Sequence, residues 1–209
     1  MPPKAKYTKE EIVDAAYEIA RKEGLDNVAA RAVGKRLNTS STPIFTFFNS
    51  MDELKAEVIK KAESEYIRYM DGVLDYPLAF KEYGMRWIRY AKENPKIYRL
   101  LFLGTNNAVS LYRDSFRELL DPIIETITKT FGINYADAKM LFNQMVIYSH
   151  GLADFCISNP NLFTEEQISS GLSRICVSLA TGIKINDGTV NMDETQKMIK
   201  QTFNTAKKG

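Results

Sequence analysis

The stretch from Arg31 to Asn49, Arg-Ala-Val-Gly-Lys-Arg-Leu-Asn-Thr-Ser-Ser-Thr-Pro-Ile-Phe-Thr-Phe-Phe-Asn, constrains this chain more than any other. It reads as two short helices joined by a turn too tight for ordinary packing, the arrangement that presents a helix to the DNA major groove. The first helix is expected over 30–37, the turn at Asn38 and Thr39, and the second over 41–47 with Ser40 as its N-cap. The turn requires one residue at positive φ, and after glycine asparagine tolerates that best. Asn38 stands at that position.

The flanks carry clear helix ends. Thr8 with Glu11 makes a capping box, Ile12, Ala15, Ala16, Ile19 and Ala20 form an apolar stripe, and Gly24 ends the first helix. A second capping box, Ser50 with Glu53, opens a connector helix to about Met70. Further helices are expected over 78–93, 96–103, 108–131, 135–158, 165–183 and 193–206. Pro122 interrupts an otherwise continuous pattern, so a kink there or a split after Leu120 is expected. No alternating run bounded by hairpin turns competes, so the fold class is all-α. The expected domains are a helix-turn-helix DNA-binding unit at 1–50, a connector at 51–70, and a larger helical domain at 71–209.

A chain of 209 residues with 44% apolar content can bury one large core or two modest ones. It holds no apolar run of membrane-spanning length, and Met-Pro-Pro-Lys-Ala-Lys lacks the apolar region of a signal peptide, so a soluble cytoplasmic protein is expected. Cys156 and Cys176 lie in apolar helical patterns without metal-site spacing and read as buried reduced thiols. Neither a metal nor a cofactor is expected. A phosphate-binding glycine loop, an HExxH pair and a nucleophile elbow are all missing, which argues against an enzyme, and no catalytic residue is assigned.

The net charge of +2 is too small to argue for nucleic acid, but its distribution is informative. From Val28 to Phe48 the only charges are Arg31, Lys35 and Arg36, and Lys4, Lys6 and Lys9 cluster before the first helix.

On Gly24-Leu25, Arg31-Ala32-Val33, Leu37, Ser40, Pro43-Ile44-Phe45, Phe48, Ser50 and Glu53-Leu54, the chain resembles the TetR family of bacterial transcriptional regulators. A weaker likeness lies at 87–102 and at His150-Gly151-Leu152. The resemblance implies an N-terminal helix-turn-helix unit, a helical ligand-binding and dimerisation domain, and a repressor released from its operator by an apolar or aromatic small molecule. Departures from the family pattern touch the DNA side: Ala29 replaces the usual capping Ser or Thr, Asn38 the turn glycine, and Phe45, Phe47 and Met51 the residues that commonly hold phosphates. These losses keep open an alternative, a helical adaptor whose DNA-binding unit is degenerate.

The expected base-reading residues are Ser41, Thr42, Pro43, Thr46 and Phe47, with Ser40 at the cap and Phe45 in either a core or a DNA role. Thr methyls, Pro43 and a Phe ring suit thymine methyl groups, which predicts an A·T-leaning operator. Phosphate contacts fall to Arg31, Lys35, Lys55, Lys4, Lys6 and Lys9. Ile44 and Phe48 are expected to lock the reading helix onto Ile12, Ile19 and Leu37. A homodimer is expected to set two reading helices roughly 34 to 36 Å apart. The family's interface implies a four-helix bundle of helices 135–158 and 165–183, with Ser169, Ser170, Gly171, Ser173 and Ser178 allowing close approach. For the ligand, Trp87, Tyr90, Phe116, Met145 and Tyr148 are the expected apolar contacts, with Asn143, Gln144 or His150 as polar handles. The last helix, with Lys197, Lys200, Lys207 and Lys208, receives no role.

Overall fold

The capping signals place the helices where local chemistry demands. Thr8 accepts from the Glu11 N–H at 3.1 Å while the Glu11 carboxylate accepts from the Thr8 N–H at 2.8 Å, so α1 (Lys9–Glu23) starts on a complete capping box. Gly24, at φ 101°, ends it by donating to Ala20. The second box is only half formed. Ser50 accepts from Glu53 N–H at 3.2 Å, but the Glu53 carboxylate reaches one residue further back, to the backbone and side-chain N–H groups of Asn49 at 2.7 and 3.0 Å.

The computed structural model describes residues 7–103, 114–186 and 188, and among them the regular structure is entirely helical. After α1 come α2 (Ala30–Arg36), α3 (Ile44–Phe47), α4 (Met51–Tyr69), α5 (Ala79–Glu93), α6 (Pro95–Phe102), α7 (Asp114–Phe131), α8 (Tyr135–Ser158) and α9 (Glu165–Asn186). Short 3-10 turns at Leu25–Asn27 and Val73–Asp75 join α1 to α2 and α4 to α5. The expected helix over 193–206 and the expected start of α7 at 108 lie outside the described residues.

Pro122 does not split its helix; α7 runs unbroken through it. An interior proline forfeits one backbone hydrogen bond at a cost of about 3 kcal/mol. Here Leu120, Ile123, Ile124 and Ile127 bury the surrounding turns, and that packing outweighs the local penalty.

The chain divides into two compact units that do not follow chain order. The first holds Met1–Asp71 with Arg89–Leu119, the second Gly72–Ile88 with Leu120–Gly209. Helices α5 and α7 therefore each contribute residues to both. In the first unit Ile12, Ala16, Val33, Ile44, Phe48, Leu54 and Val58 are buried, and Tyr66 meets Tyr90, Phe102 and Phe116 edge-on with centroids 5.1, 5.0 and 5.6 Å away. Such edge contacts set the positive ring rim against a negative face. The second unit buries Tyr83, Trp87, Leu141, Phe142, Leu172 and the two free cysteines.

Candidate nucleic-acid interface and an apolar cavity

The turn after α2 forms as its residues require. Asn38 sits at φ 53°, and it is the one non-glycine residue at positive φ among the described residues. Thr39 N–H donates to the Gly34 carbonyl at 2.9 Å. A Cβ on Gly34 would lie 2.8 Å from the Ser40 carbonyl oxygen and 3.0 Å from that of Thr39, so the chain folds back onto α2 where only glycine leaves room. Sequence reasoning did not single out Gly34, although a glycine inside a helix costs stability and so signals a packing reason. The Tyr7 hydroxyl donates to the Leu37 carbonyl and anchors the segment before α1 to the same turn. Ala29 leaves the start of α2 without a side-chain cap.

The helix expected over 41–47 is shorter than its sequence implies. Residues 41–43 make a turn and regular α-helix spans only Ile44–Phe47, because Pro43 has no N–H to donate and the Ser40 hydroxyl competes for the Thr42 N–H. Ser40 still acts at the entry, accepting from Thr42 N–H at 3.4 Å. Ile44 and Phe48 are fully buried, whereas Leu37 is half-buried. Their burial fixes which side chains face out: Ser40, Thr42, Phe45 and Thr46 are exposed, and Ser41, Pro43 and Phe47 are half-buried.

Among the cations, Arg31 and Lys35 are exposed and Lys55 is half-buried, and none of the three enters an ion pair among the described residues. Arg36 is held 3.6 Å from Glu18, which also takes a two-pronged contact from Arg21 at 3.0 and 2.9 Å. The hydrogen bonds from Arg21 hold the Glu18 carboxyl below its ordinary range, against a smaller opposing effect of burial. Lys9 lies over the Phe48 ring at 5.3 Å, so its stem is committed to the unit's own packing. Lys4 and Lys6 lie outside the described residues. The outcome is a surface of hydroxyls, one exposed phenylalanine and uncommitted cations with no acid from Val28 to Phe48.

In the second unit α5, α7, α8 and α9 enclose a cavity of about 190 Å³. Of the ligand candidates, Trp87 and Met145 line it. His150 stands behind, its ring edge-on to Trp87 at 4.9 Å, and burial pushes its pKa below the ordinary histidine value. Tyr148 packs toward Gly171, where a Cβ would meet its hydroxyl at 2.9 Å. Asn143 is half-buried and Gln144 exposed on α8, and neither lines the cavity. Tyr90 and Phe116 belong to the other unit, packed on Tyr66, because periodicity marks them as apolar without saying which core they enter. The Tyr90 hydroxyl is buried without a hydrogen-bond partner. Phe80, Phe131, Leu172 and Cys176 line the cavity unforeseen, drawn from three different helices. Burial pushes the Cys176 thiol up to about 12, so it is a packing group with no thiolate near neutrality.

Helices α8 and α9 expose several large apolar side chains among charged and polar ones: Ile147 is 73% exposed and Phe155 61%, with Met140 and Val177 also exposed. Ser170 and Ser178 lie on the surface, while Gly171 receives Tyr148 and Ser173 lines the cavity.

Comparison with known proteins decides what this architecture is. No protein-family model matches the chain. A solved TetR-like transcriptional regulator from Rhodococcus sp. RHA1 superimposes with a TM-score of 0.57 at 16% identity, covering 80% of this chain and 92% of that one. The fold is TetR-like. A putative transcriptional regulator from Pseudomonas aeruginosa PAO1 matches with a TM-score of 0.64 at 15% identity, over 83% of this chain and 90% of its own. In sequence, the uncharacterized HTH-type transcriptional regulator YobS of Bacillus subtilis is 26% identical over 198 residues, 91% of this chain and all of that one. The HTH-type transcriptional repressor Rv1353c of Mycobacterium tuberculosis is 21% identical over 145 residues, and the chain spans only 54% of its length. No described helix is long and apolar enough to cross a membrane.

Proposed function

We propose that the chain is a DNA-binding transcriptional regulator, in its simplest form a cytoplasmic repressor that binds operator DNA as a homodimer and is released by a small apolar or aromatic molecule. The single observation that carries the DNA reading is that Ser40, Thr42, Thr46, Arg31 and Lys35 stand exposed around a turn fixed by Gly34 and Asn38, in a stretch without an acid from Val28 to Phe48. Hydroxyls and methyls meet base edges in the major groove, and the uncommitted cations meet phosphates. Residues 1–50 do the reading, 51–70 connect, and 71–209 bind ligand and dimerise. Ile147, Phe155 and Val177 support α8 and α9 as the dimer face, since large apolar side chains this exposed mark an interaction surface. A bound effector shifts DNA affinity by no more than its difference in affinity between the two forms.

The test is selection of bound sequences from a random duplex pool. Paired A·T-leaning half-sites about one or more helical turns apart support a dimeric reader, and G·C at every contacted step contradicts the base contacts. The adaptor reading draws on the exposed Phe45, which offers no hydroxyl to a phosphate. It predicts that selection yields no enriched sequence.

A further inference from the structure

We infer that the cavity of the second unit is shaped for a neutral molecule about the size of one substituted ring, carrying a single hydroxyl or carbonyl group that Ser149 recognises. This occupant is the effector only if the chain is the ligand-released regulator proposed above.

Three observations converge. The volume of about 190 Å³ is close to that of an apolar cavity, about 150 Å³, that takes up benzene, and below the several hundred Å³ of pockets for larger ligands. The deep walls are Trp87, Phe142, Leu172 and Cys176, all buried, and no acid lines the cavity. An ionised group taken among them would lose its hydration without a charge to replace it. Lys81, the one charged lining residue, is half-buried, and the exposed lining residues Leu78, Thr130 and Val177 mark where the cavity opens.

Ser149 is the third observation. It is the one residue of polar or charged type buried among the described residues, only 5% exposed, and it lines this cavity. Its hydroxyl makes no hydrogen bond among the described residues. The hydroxyl is therefore free to pair with an occupant, and a ligand hydroxyl or carbonyl placed against it gains a hydrogen bond that a purely apolar ring cannot make. Ser173, also on the lining, is half-buried and keeps access to water.

The chain's one tryptophan, Trp87, lines the cavity and reports on its occupancy. Full-length protein is titrated with toluene, p-cresol and p-toluate, following Trp87 emission and heat of binding. The expected result is saturable binding with p-cresol about tenfold tighter than toluene and p-toluate weakest. Ser149→Ala brings p-cresol down to the level of toluene and leaves toluene unchanged, and Ser173→Ala alters neither. Equal affinity for p-cresol and toluene, no effect of Ser149→Ala, or no saturable p-cresol binding overturns the assignment. So does tightest binding of p-toluate with its advantage lost in Lys81→Gln. Should Ser149→Ala melt early, the wild-type ranking decides alone. Operator affinity is measured separately on the same protein: DNA binding indifferent to bound p-cresol removes the effector reading and leaves the cavity chemistry standing, while specific DNA binding without p-cresol binding overturns the cavity chemistry alone.

Discussion

The segment from α2 to α3 and the cavity of the second unit are built by opposite means. The turn between α2 and α3 is made by neighbours in sequence: Gly34 receives Thr39 and Ser40, Asn38 takes the positive φ, and Ser40 meets Thr42. The cavity is made by residues from Leu78 to Val177, carried on four helices and the turn before α5, which no short-range pattern brings together. A local device is sensitive to single backbone positions. A device assembled over long range depends on volume, and neighbouring apolar groups can share a loss.

The largest effect that separates the two belongs to the cavity wall. Trp87→Ala removes a fully buried side chain and is expected to cost about 3 to 5 kcal/mol, read as a fall in denaturation midpoint, with the cavity's ligand preference lost. Gly34→Ala comes next. The added methyl meets backbone, which cannot rotate aside, so about 1 to 3 kcal/mol is expected, accompanied by loss of operator binding that Trp87→Ala at permissive temperature does not share. Equal loss of DNA binding in both variants would break the distinction between local and long-range construction.

That distinction also explains how much was legible in the sequence. Helix α8 runs from Tyr135 to Ser158 as expected, because Asn134 caps it and Asn159-Pro160 ends it, both local signals. Asn38 and the Thr8 box were readable for the same reason. Helix α3 came out shorter than the expected 41–47 because the Ser40 hydroxyl takes the Thr42 N–H and Pro43 has none to give, an effect that apolar spacing does not register. Pro122 failed to break α7 because packing outweighed local propensity. Trp87 and Met145 were placed by their apolar character, but the same character described Tyr90 and Phe116, which joined another core. Ser149 gave no signal, since a serine in a helix is ordinary until its burial is known.

Smaller effects sharpen the contrast. Ala29→Ser supplies the missing cap of α2 and is expected to stabilise by about 1 kcal/mol, measured by denaturant midpoint, without changing which sequences are bound. The smallest effect belongs to His150. Its pKa is lowered in the folded protein, so as pH falls through the ordinary value of about 6.5 the unfolded chain takes up a proton that the folded chain resists. Stability is therefore full above that value and declines beneath it. His150→Gln is expected to flatten the decline between about pH 6.5 and 5, seen in melts across that range. An unchanged slope would place the titration elsewhere.

The central claim is that the surface around Arg31, Lys35 and the Ser40 to Phe47 segment reads DNA. It is tested most directly by titrating the protein against fragments flanking its own coding region, with random DNA as competitor, at two salt concentrations. The account predicts saturable, competitor-resistant binding that weakens with salt, with Arg31→Ala and Lys35→Ala each lowering the salt slope by about one phosphate contact. Binding with no preference over random DNA, and a slope indifferent to both substitutions, would contradict it.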